Sequence, residues 1–534
     1  MSKSIVRREG VDKSALRSSI NREINALLEL EPETVLEAER AVRAVVLGIG
    51  RVLLAVVLAQ MCRRVTVREL EGRGLSLSDV RLRLDANYSA VLATSLGEIV
   101  VPLFAYRQQA KGGTTTTRSP ARHILPWYPR CRSSPLLLRF ETTLGSRMPF
   151  REAERMLALM TDGAVTLHDT TIAHHCRHVA EVVSREHMYL SPEEIRQVLV
   201  DRAVRDPQTD LPIVHFSTDG HAERLLDGPT WERNWRMLNG IRVWCVDKRT
   251  GRCIPLGGEF IVGDCHAVAQ AFDDLNDLGI LPFDGDYGEG VSAQLVFIAD
   301  GMEWFDEHVL AKFPNVEAIL DAYHVLEKVG ELFADLWGSG SQRAKRAYRK
   351  FCRWVTGRTP SKQPDPKPRK QQKEKNKNNG EMAEEEKKQK AKAKREAAYD
   401  RKRSYPSIKD TDIDDLDLPK HSGGELLAAF VSIVGDASDA RIEGVIDYLA
   451  KRLDRIRYRG FWHRGFHISS SAMESFNRVA QQRIKLPGAA WTPAMAQAIL
   501  NLRMVSVSGN QDRFWNDDKL MQKLGHLWRA QGVS

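Results

Sequence analysis

Between residues 211 and 337 short apolar runs alternate with amphipathic stretches, and two of the runs stop at an Asp-Gly pair. Ile213 to Ser217 reads as a strand ending at Thr218-Asp219-Gly220. Arg242 to Asp247 is a second strand, Lys248 to Arg252 a turn, and Glu259 to Val262 part of a third. Ala267 to Leu278 carries a helical pattern closed by Gly279. Gln294 to Ala299 is apolar almost throughout, the pattern of a strand covered on both faces, and ends at Asp300-Gly301. A helix follows to Lys312, then Phe313-Pro314, a strand over Val316 to Leu320, Asp321-Ala322-Tyr323-His324, and a helix to Trp337. Three strands, helix, strand, helix, strand, helix predicts a mixed α/β domain.

The rest of the chain is mainly helical in pattern. Residues 1–90 form a helical N-terminal region, with dense Leu, Val and Ala over Val35 to Val65. Residues 91–205 begin with β-like pieces, Ile99 to Val101 and Leu136 to Phe140. At 148–185 they outline a helix-turn-helix: Phe150 to Met160, a break at Thr161-Asp162-Gly163-Ala164, and a second helix capped at Asp169. A second helix of that kind can enter a DNA major groove, with Arg177 toward the phosphates; an ordinary helical hairpin has the same outline. His174 and His178 stand at a spacing that can chelate zinc, yet the sequence offers no second ligand pair. Residues 338–465 read as a helical interruption. Within it, 358–403 holds 17 basic and 8 acidic residues with almost no large apolar ones, a composition that predicts disorder. Residues 466–534 resume with Ser469-Ser470-Ser471, an amphipathic helix from Ala472 to about Lys485, and a last strong helix over Ala494 to Met504.

Charge and cysteine usage narrow the setting. The net charge of +9 is matched by the excess in that one tract, so nucleic acid would be gripped by local patches and not by a uniformly cationic body. The seven cysteines are scattered without a Cys-x-x-Cys pair, which argues for a reducing compartment and against a zinc ribbon. The first ten residues, MSKSIVRREG, lack a signal peptide's apolar run. Arg43 and Arg51 interrupt the apolar stretch Val42 to Met61, so a largely buried helix is expected there, with no membrane partner.

Asp219 and Asp300 follow apolar strands, where a rigid sheet can hold a reactive loop. Glu474 lies in the first turn of a helix rich in Arg and Gln, including Arg478, Arg483 and Lys485. Three carboxylates brought together repel one another unless a divalent cation neutralises them. Oxygen ligands favour Mg²⁺, which binds through a few carboxylates plus substrate phosphate, and paired ions of this kind serve phosphodiester displacement. Each acid also has a structural explanation, since Asp-Gly is a common turn pair and a Glu near a helix start complements the dipole.

As a set, Asp219, Asp300 and the late Glu474 resemble the DDE triad of RNase H-like transposases, and the details resemble the Mutator-like superfamily of bacterial insertion sequences. Those details are Asp300-Gly301, Phe313-Pro314, Asp321-x-x-His324, a helical insertion before the Glu, and Met473-Glu474-Ser475 followed by Gln482-Arg483-Ile484-Lys485-Leu486-Pro487-Gly488 and Trp491. The likeness covers roughly 145 to 515. Ser469-Ser470-Ser471 stands where relatives often carry Gly-Ser-Gly.

The resemblance implies an RNase H-like mixed-sheet catalytic domain, split into 211–337 and 466–534 by the insertion. It implies Asp219, Asp300 and Glu474 as catalytic residues and ligands of Mg²⁺ (Mn²⁺ as a substitute), with Asp321 and His324 in support; Asp321 competes with Asp300 as the second ligand. Water would open the bond at an element end, and the freed 3′-hydroxyl would then attack target DNA. Arg177, Arg478, Arg483 and Lys485 would meet DNA, the protein would act as a homodimer or higher homo-oligomer, and it would reside in the bacterial cytoplasm with the nucleoid. Two alternatives keep part of this: a transposase-derived DNA-binding protein without catalysis, and a metal-dependent phosphatase or glycosidase on a mixed sheet.

Overall fold

The computed structural model describes residues 6–7, 10–75, 82–83, 89–109, 115–120, 124–128, 131–227, 232–356, 422–435, 439–486, 489–517 and 519–530. The basic tract 358–403 and Pro487-Gly488 lie outside these residues. The fold mixes helices and sheets and divides into two compact units. The first comprises 1–187, 225–232 and 480–534; the second comprises 188–224 and 233–479. The segment expected to close the α/β domain is thus shared: 466–479 group with the sheet, and 480–534 with the N-terminal part.

The second unit is built on five strands, β1 (Ile213–Asp227), β2 (Glu232–Val246), β3 (Cys253–Val262), β4 (Gln294–Ala299) and β5 (Glu317–Leu320), of which only the outer tips, 225–227 and Glu232, group with the first unit. Their order across the sheet is β3-β2-β1-β4-β5. β2 and β3 are antiparallel, with a bulge between Pro255 and Gly257. β4 runs parallel to β1, from Gln294 against Ile213 to Ile298 against Ser217, and parallel to β5, from Val296 against Glu317 to Ala299 against Leu320. Helix α1 (Cys265–Asp277) starts at Asp264, whose carboxylate accepts from His266 and Ala267 N–H. α2 (Glu303–His308) and α3 (Ala322–Trp337) follow β4 and β5. β1 and β2 run further than their apolar cores foretell. Asp219-Gly220 therefore lies inside β1 and not in a turn after it. A Cβ on Gly220 would come within 2.4 Å of the Asn239 side-chain oxygen, so close approach explains the glycine. Gly301, by contrast, does adopt a positive φ of 85° just past β4.

The insertion supplies α4 (Gln342–Thr356), α5 (Gly423–Val434), α6 (Ala440–Ala450) and α7 (Tyr458–His463) before α8 (Ser471–Ile484). These helices share one core with the sheet: Val296, Ile298 and Ile319 of the strands, Val325 of α3, Phe351, Phe430 and Val445 are buried in a single cluster. The interruption is therefore packed onto the β4–β5 side.

The first unit contains a helix of 37 residues, Val35–Glu71, capped at Thr34. It packs against the helix Lys13–Leu28 and the strand Gly97–Pro102, which forms a hairpin with Ser89–Thr94. The expectation of a largely buried helix fails. Its most apolar 18-residue window is 17% buried, and the helix is long and apolar enough, by length and composition, to cross a membrane. Leu136 to Phe140, expected to be β-like, lies in the helix Pro135–Gly145, capped by Ser134 with Pro at its start. Phe150–Met160 and Asp169–Ala180 are helices joined through Asp162 and Gly163, both at positive φ. His168, not Asp169, caps the second. Helix Pro493–Val507 packs on Asp169–Ala180 and on Pro135–Gly145.

Candidate active site at the strand ends

The parallel register ends with Ser217 beside Ile298, so Asp219 and Asp300 emerge at the same edge of neighbouring strands. Both are half-buried. Burial raises the Asp219 carboxyl above the ordinary range, and the charges of Asp300 and Asp321 add to this against the opposing pull of His324. Asn477 of α8 donates its side-chain N–H to Asp219 Oδ2 at 2.7 Å. That contact needs Gly240, where a Cβ would stand 2.2 Å from Met473 Cε and 3.1 Å from the Asn477 side-chain oxygen. Asp300 accepts from Met302 N–H at 3.3 Å, while the Tyr448 hydroxyl donates to its carbonyl at 2.9 Å and Arg452 donates to the Gly301 carbonyl. The insertion thus holds the Asp300 turn through α6.

Asp321 is fully buried. It caps α3 by accepting from Tyr323 N–H at 2.8 Å, and it also accepts from the Ser470 hydroxyl. Burial raises its carboxyl, against these hydrogen bonds. Ser470 precedes α8, and its carbonyl accepts the Glu474 N–H at 2.9 Å, so Asp321 fixes where the glutamate helix begins. His324 Nε2 stands 3.8 Å from Asp321 and its Nδ1 3.7 Å from Glu327. Of the two competing aspartates, Asp300 keeps the open carboxylate and Asp321 is committed to structure.

Glu474 sits one turn before Asn477 on α8, and its carboxylate is exposed and paired with Arg478 at 2.6 Å. Among the described residues no group of three or more His, Cys, Asp and Glu side chains stands close enough to hold a metal ion. The end of the parallel β1–β4 register therefore brings Asp300, Asp321 and His324 within electrostatic influence of Asp219, and Glu474 sits one turn before Asn477 without joining them. Sequence reasoning missed Asn477: a neutral amide carries no chemical signature of its own, and only its place one turn after Glu474 pointed to it.

The basic residues divide. Arg177 is exposed, with Glu181 at 3.8 Å, and Arg478 is exposed beside Glu474. Lys485 is exposed. Arg483 does not fit the role expected of it. It is buried, its guanidinium lies 4.4 Å from the Trp491 ring and 5.1 Å from Phe150, and its Nε donates to the Gly145 carbonyl. Burial lowers it to about 10. Stacked between rings inside the first unit, it cannot reach a phosphate. His174 and His178 place their Nε2 atoms 2.9 Å apart, and burial lowers both.

No family model and no curated protein matches the chain. Among solved structures it is similar to a chain of the Drosophila P element transposase strand transfer complex, at a TM-score of 0.29 and 11% identity, over 72% of this chain and 92% of that one. A score so low carries no inference about fold or function.

Proposed function

We propose that the chain is a divalent-metal-dependent DDE transposase with an RNase H-like domain, cutting and joining DNA at the ends of a mobile element. The observation that carries this reading is the placement of Asp219 and Asp300 just past the shared end of the parallel β1–β4 register, where burial, with the Asp300 charge adding to it, raises the Asp219 carboxyl. The order β3-β2-β1-β4-β5, with β1, β4 and β5 parallel, supports the RNase H-like part.

The donor set suits Mg²⁺ or Mn²⁺, since it offers oxygens alone and two carboxylates are enough when substrate and water complete the shell. Asp219 and Asp300 would hold the ion, with Glu474 joining once its carboxylate leaves Arg478. Bound there, such an ion supplies Lewis acidity at a phosphodiester. Asn477 fixes one oxygen of Asp219 and so sets the direction of the other. Asp321 and Ser470 anchor α8, and Tyr448 and Arg452 brace the Asp300 turn. Water would attack the phosphodiester at the element end and displace its 3′-oxygen as a hydroxyl; that 3′-hydroxyl would then attack a target phosphodiester and displace the target's 3′-oxygen, with no covalent enzyme intermediate. His324 lies within the influence of Asp219, where it can support a DNA strand. Arg478 and Lys485 would meet phosphates, and the exposed line Thr170, His174, Arg177 would face DNA from the helix-turn-helix. The protein would work on the nucleoid, as a homo-oligomer that pairs two ends.

The test is nicking of duplexes carrying the inverted repeats that flank the coding sequence, in Mg²⁺ or Mn²⁺. Asp219→Asn, Asp300→Asn and Glu474→Gln should each cut at least about a thousandfold more slowly. Undiminished cutting by all three ends the assignment. The Glu474–Arg478 pair favours a second reading, a DNA-binding derivative without catalysis. Specific binding to those repeats with no cutting in any divalent metal selects it.

A further inference from the structure

The helix Val35–Glu71 is apolar on two opposite faces. One face, through Ala55, Val56, Ala59, Cys62 and Leu70, is buried in the first unit. The other carries Val35, Val42, Val46, Leu53, Val57 and Met61, each between 40% and 78% exposed. At 3.6 residues per turn these six fall within an arc of about 100° and run about 40 Å along the helix. A folded surface rarely leaves so long an apolar line bare. Lipid is a poor occupant, because the opposite face carries a packed β-hairpin whose edge groups could not enter a bilayer.

We infer that this stripe is the interface with a second copy of the chain, the two helices antiparallel about a two-fold axis between Arg51 and Val52. In that register Val46 faces Val57 and Val42 faces Met61, each pair formed twice. Glu39 and Arg64, both exposed on the same line, then meet across the pair at either end. A parallel pair would oppose Glu39 to Glu39 and Arg64 to Arg64, so charge selects the antiparallel arrangement. The contact is isologous and closes on itself as a dimer. It deepens the homo-oligomer part of the function proposed above, but it stands on this helix and not on the carboxylates.

The experiment is sedimentation velocity with light scattering on the full chain, without DNA. A dimer is expected, and Val46→Glu should weaken it by about tenfold or more with unchanged circular dichroism. Glu39→Arg alone should weaken association, and adding Arg64→Glu should restore it. In a background with Cys253→Ser and Cys265→Ser, Leu53→Cys should cross-link to itself near the axis, and Val42→Cys should not, its two copies lying about 28 Å apart along the pair. A monomer at every concentration overturns the inference. So does cross-linking by Val42→Cys alone, or flotation of the monomer with phosphatidylglycerol vesicles. A dimer that cuts no DNA keeps this interface and ends the nuclease reading; a monomer that nicks single ends does the reverse.

Discussion

Two clusters of titratable side chains in this molecule, each holding a carboxylate and a histidine, are left in opposite states. In the first unit Glu141 is fully buried, pairs with His175 Nδ1, and His175 Nε2 lies 3.5 Å from the Cys131 thiol. Burial pushes the His175 imidazole down, yet the Cys131 and Glu141 side chains win and raise it to about 10. This trio is buried, and the Glu141 charge is met by His175 through one carboxylate oxygen, the other having no hydrogen-bond partner. It ties the loop at 131–134 to the helices Pro135–Gly145 and Asp169–Ala180, and no substrate can reach it. In the second unit Asp219 and Asp300 are half-buried; Asn477 donates to Asp219, the His324 charge pulls its carboxyl down, and the like charges of Asp300 and Asp321 push it up. Polar groups that hold a fold together arrive with their partners; groups left facing one another with like charge await a ligand.

The sharpest way to break this contrast is to cut one member out of each cluster. Glu141→Ala or His175→Ala leaves an unpaired buried ion and should cost about 3–5 kcal/mol of stability by denaturant melts. Asp300→Asn should leave the melting midpoint close to that of the parent. Should both clusters respond alike, the division into sealed and open acids is wrong.

Acid titration has a smaller effect and reaches both units. His215 and His467 are both buried beside Trp244, and the His467 backbone N–H donates to His215 Nε2 at 2.9 Å. Burial lowers His467 to about 4 and His215 well below the usual imidazole range; in the first unit it lowers His178 to about 4. An imidazole held neutral in the fold takes up a proton more readily when unfolded. The contribution of these three imidazoles is therefore complete above about pH 6.5 and declines as pH falls toward 4, by up to about 1.4 kcal/mol per pH unit for each such group. His467→Gln should flatten that slope. A slope unchanged in the variant would remove the buried imidazole as its cause.

How much of this was legible in the sequence follows the physics of each signal. Gln294 to Ala299 was plain because a strand covered on both faces must be apolar throughout. The outer halves of β1 and β2 were not, because residues such as Glu223, Arg224, Glu232 and Arg236 are polar and the hairpin holds them by backbone pairing. Leu136 to Phe140 misled because a short apolar run fits strand and helix alike; Ser134-Pro135 was the overlooked start signal. Arg483 looked like a surface cation because its helix is amphipathic, and only the rings of Phe150 and Trp491 show it to be enclosed. Val35–Glu71 looked buried because apolar content reports an appetite for contact, not which partner meets it. The acids themselves were readable as residue types, but the split between open Asp300 and closed Asp321 depended on Ser470, far along the chain.

The smallest expected effect probes Asp219 itself. Burial and the charges of Asp300 and Asp321 raise its carboxyl, so the ionised form is the costly one in the fold. A raised acid contributes fully below its unfolded value, the ordinary 3.8 of an aspartate, and that contribution is lost as pH climbs through the folded value. Asp219→Asn can still accept from Asn477 while shedding the charge. It should therefore melt slightly above the parent at pH 7, and no higher than the parent at pH 3. Adding Mg²⁺ should narrow the gap at pH 7 by stabilising the parent alone. A variant less stable at neutral pH, or a gap that widens in acid, would mean that Asp219 is as well partnered as Glu141 and that the contrast between the two clusters does not hold.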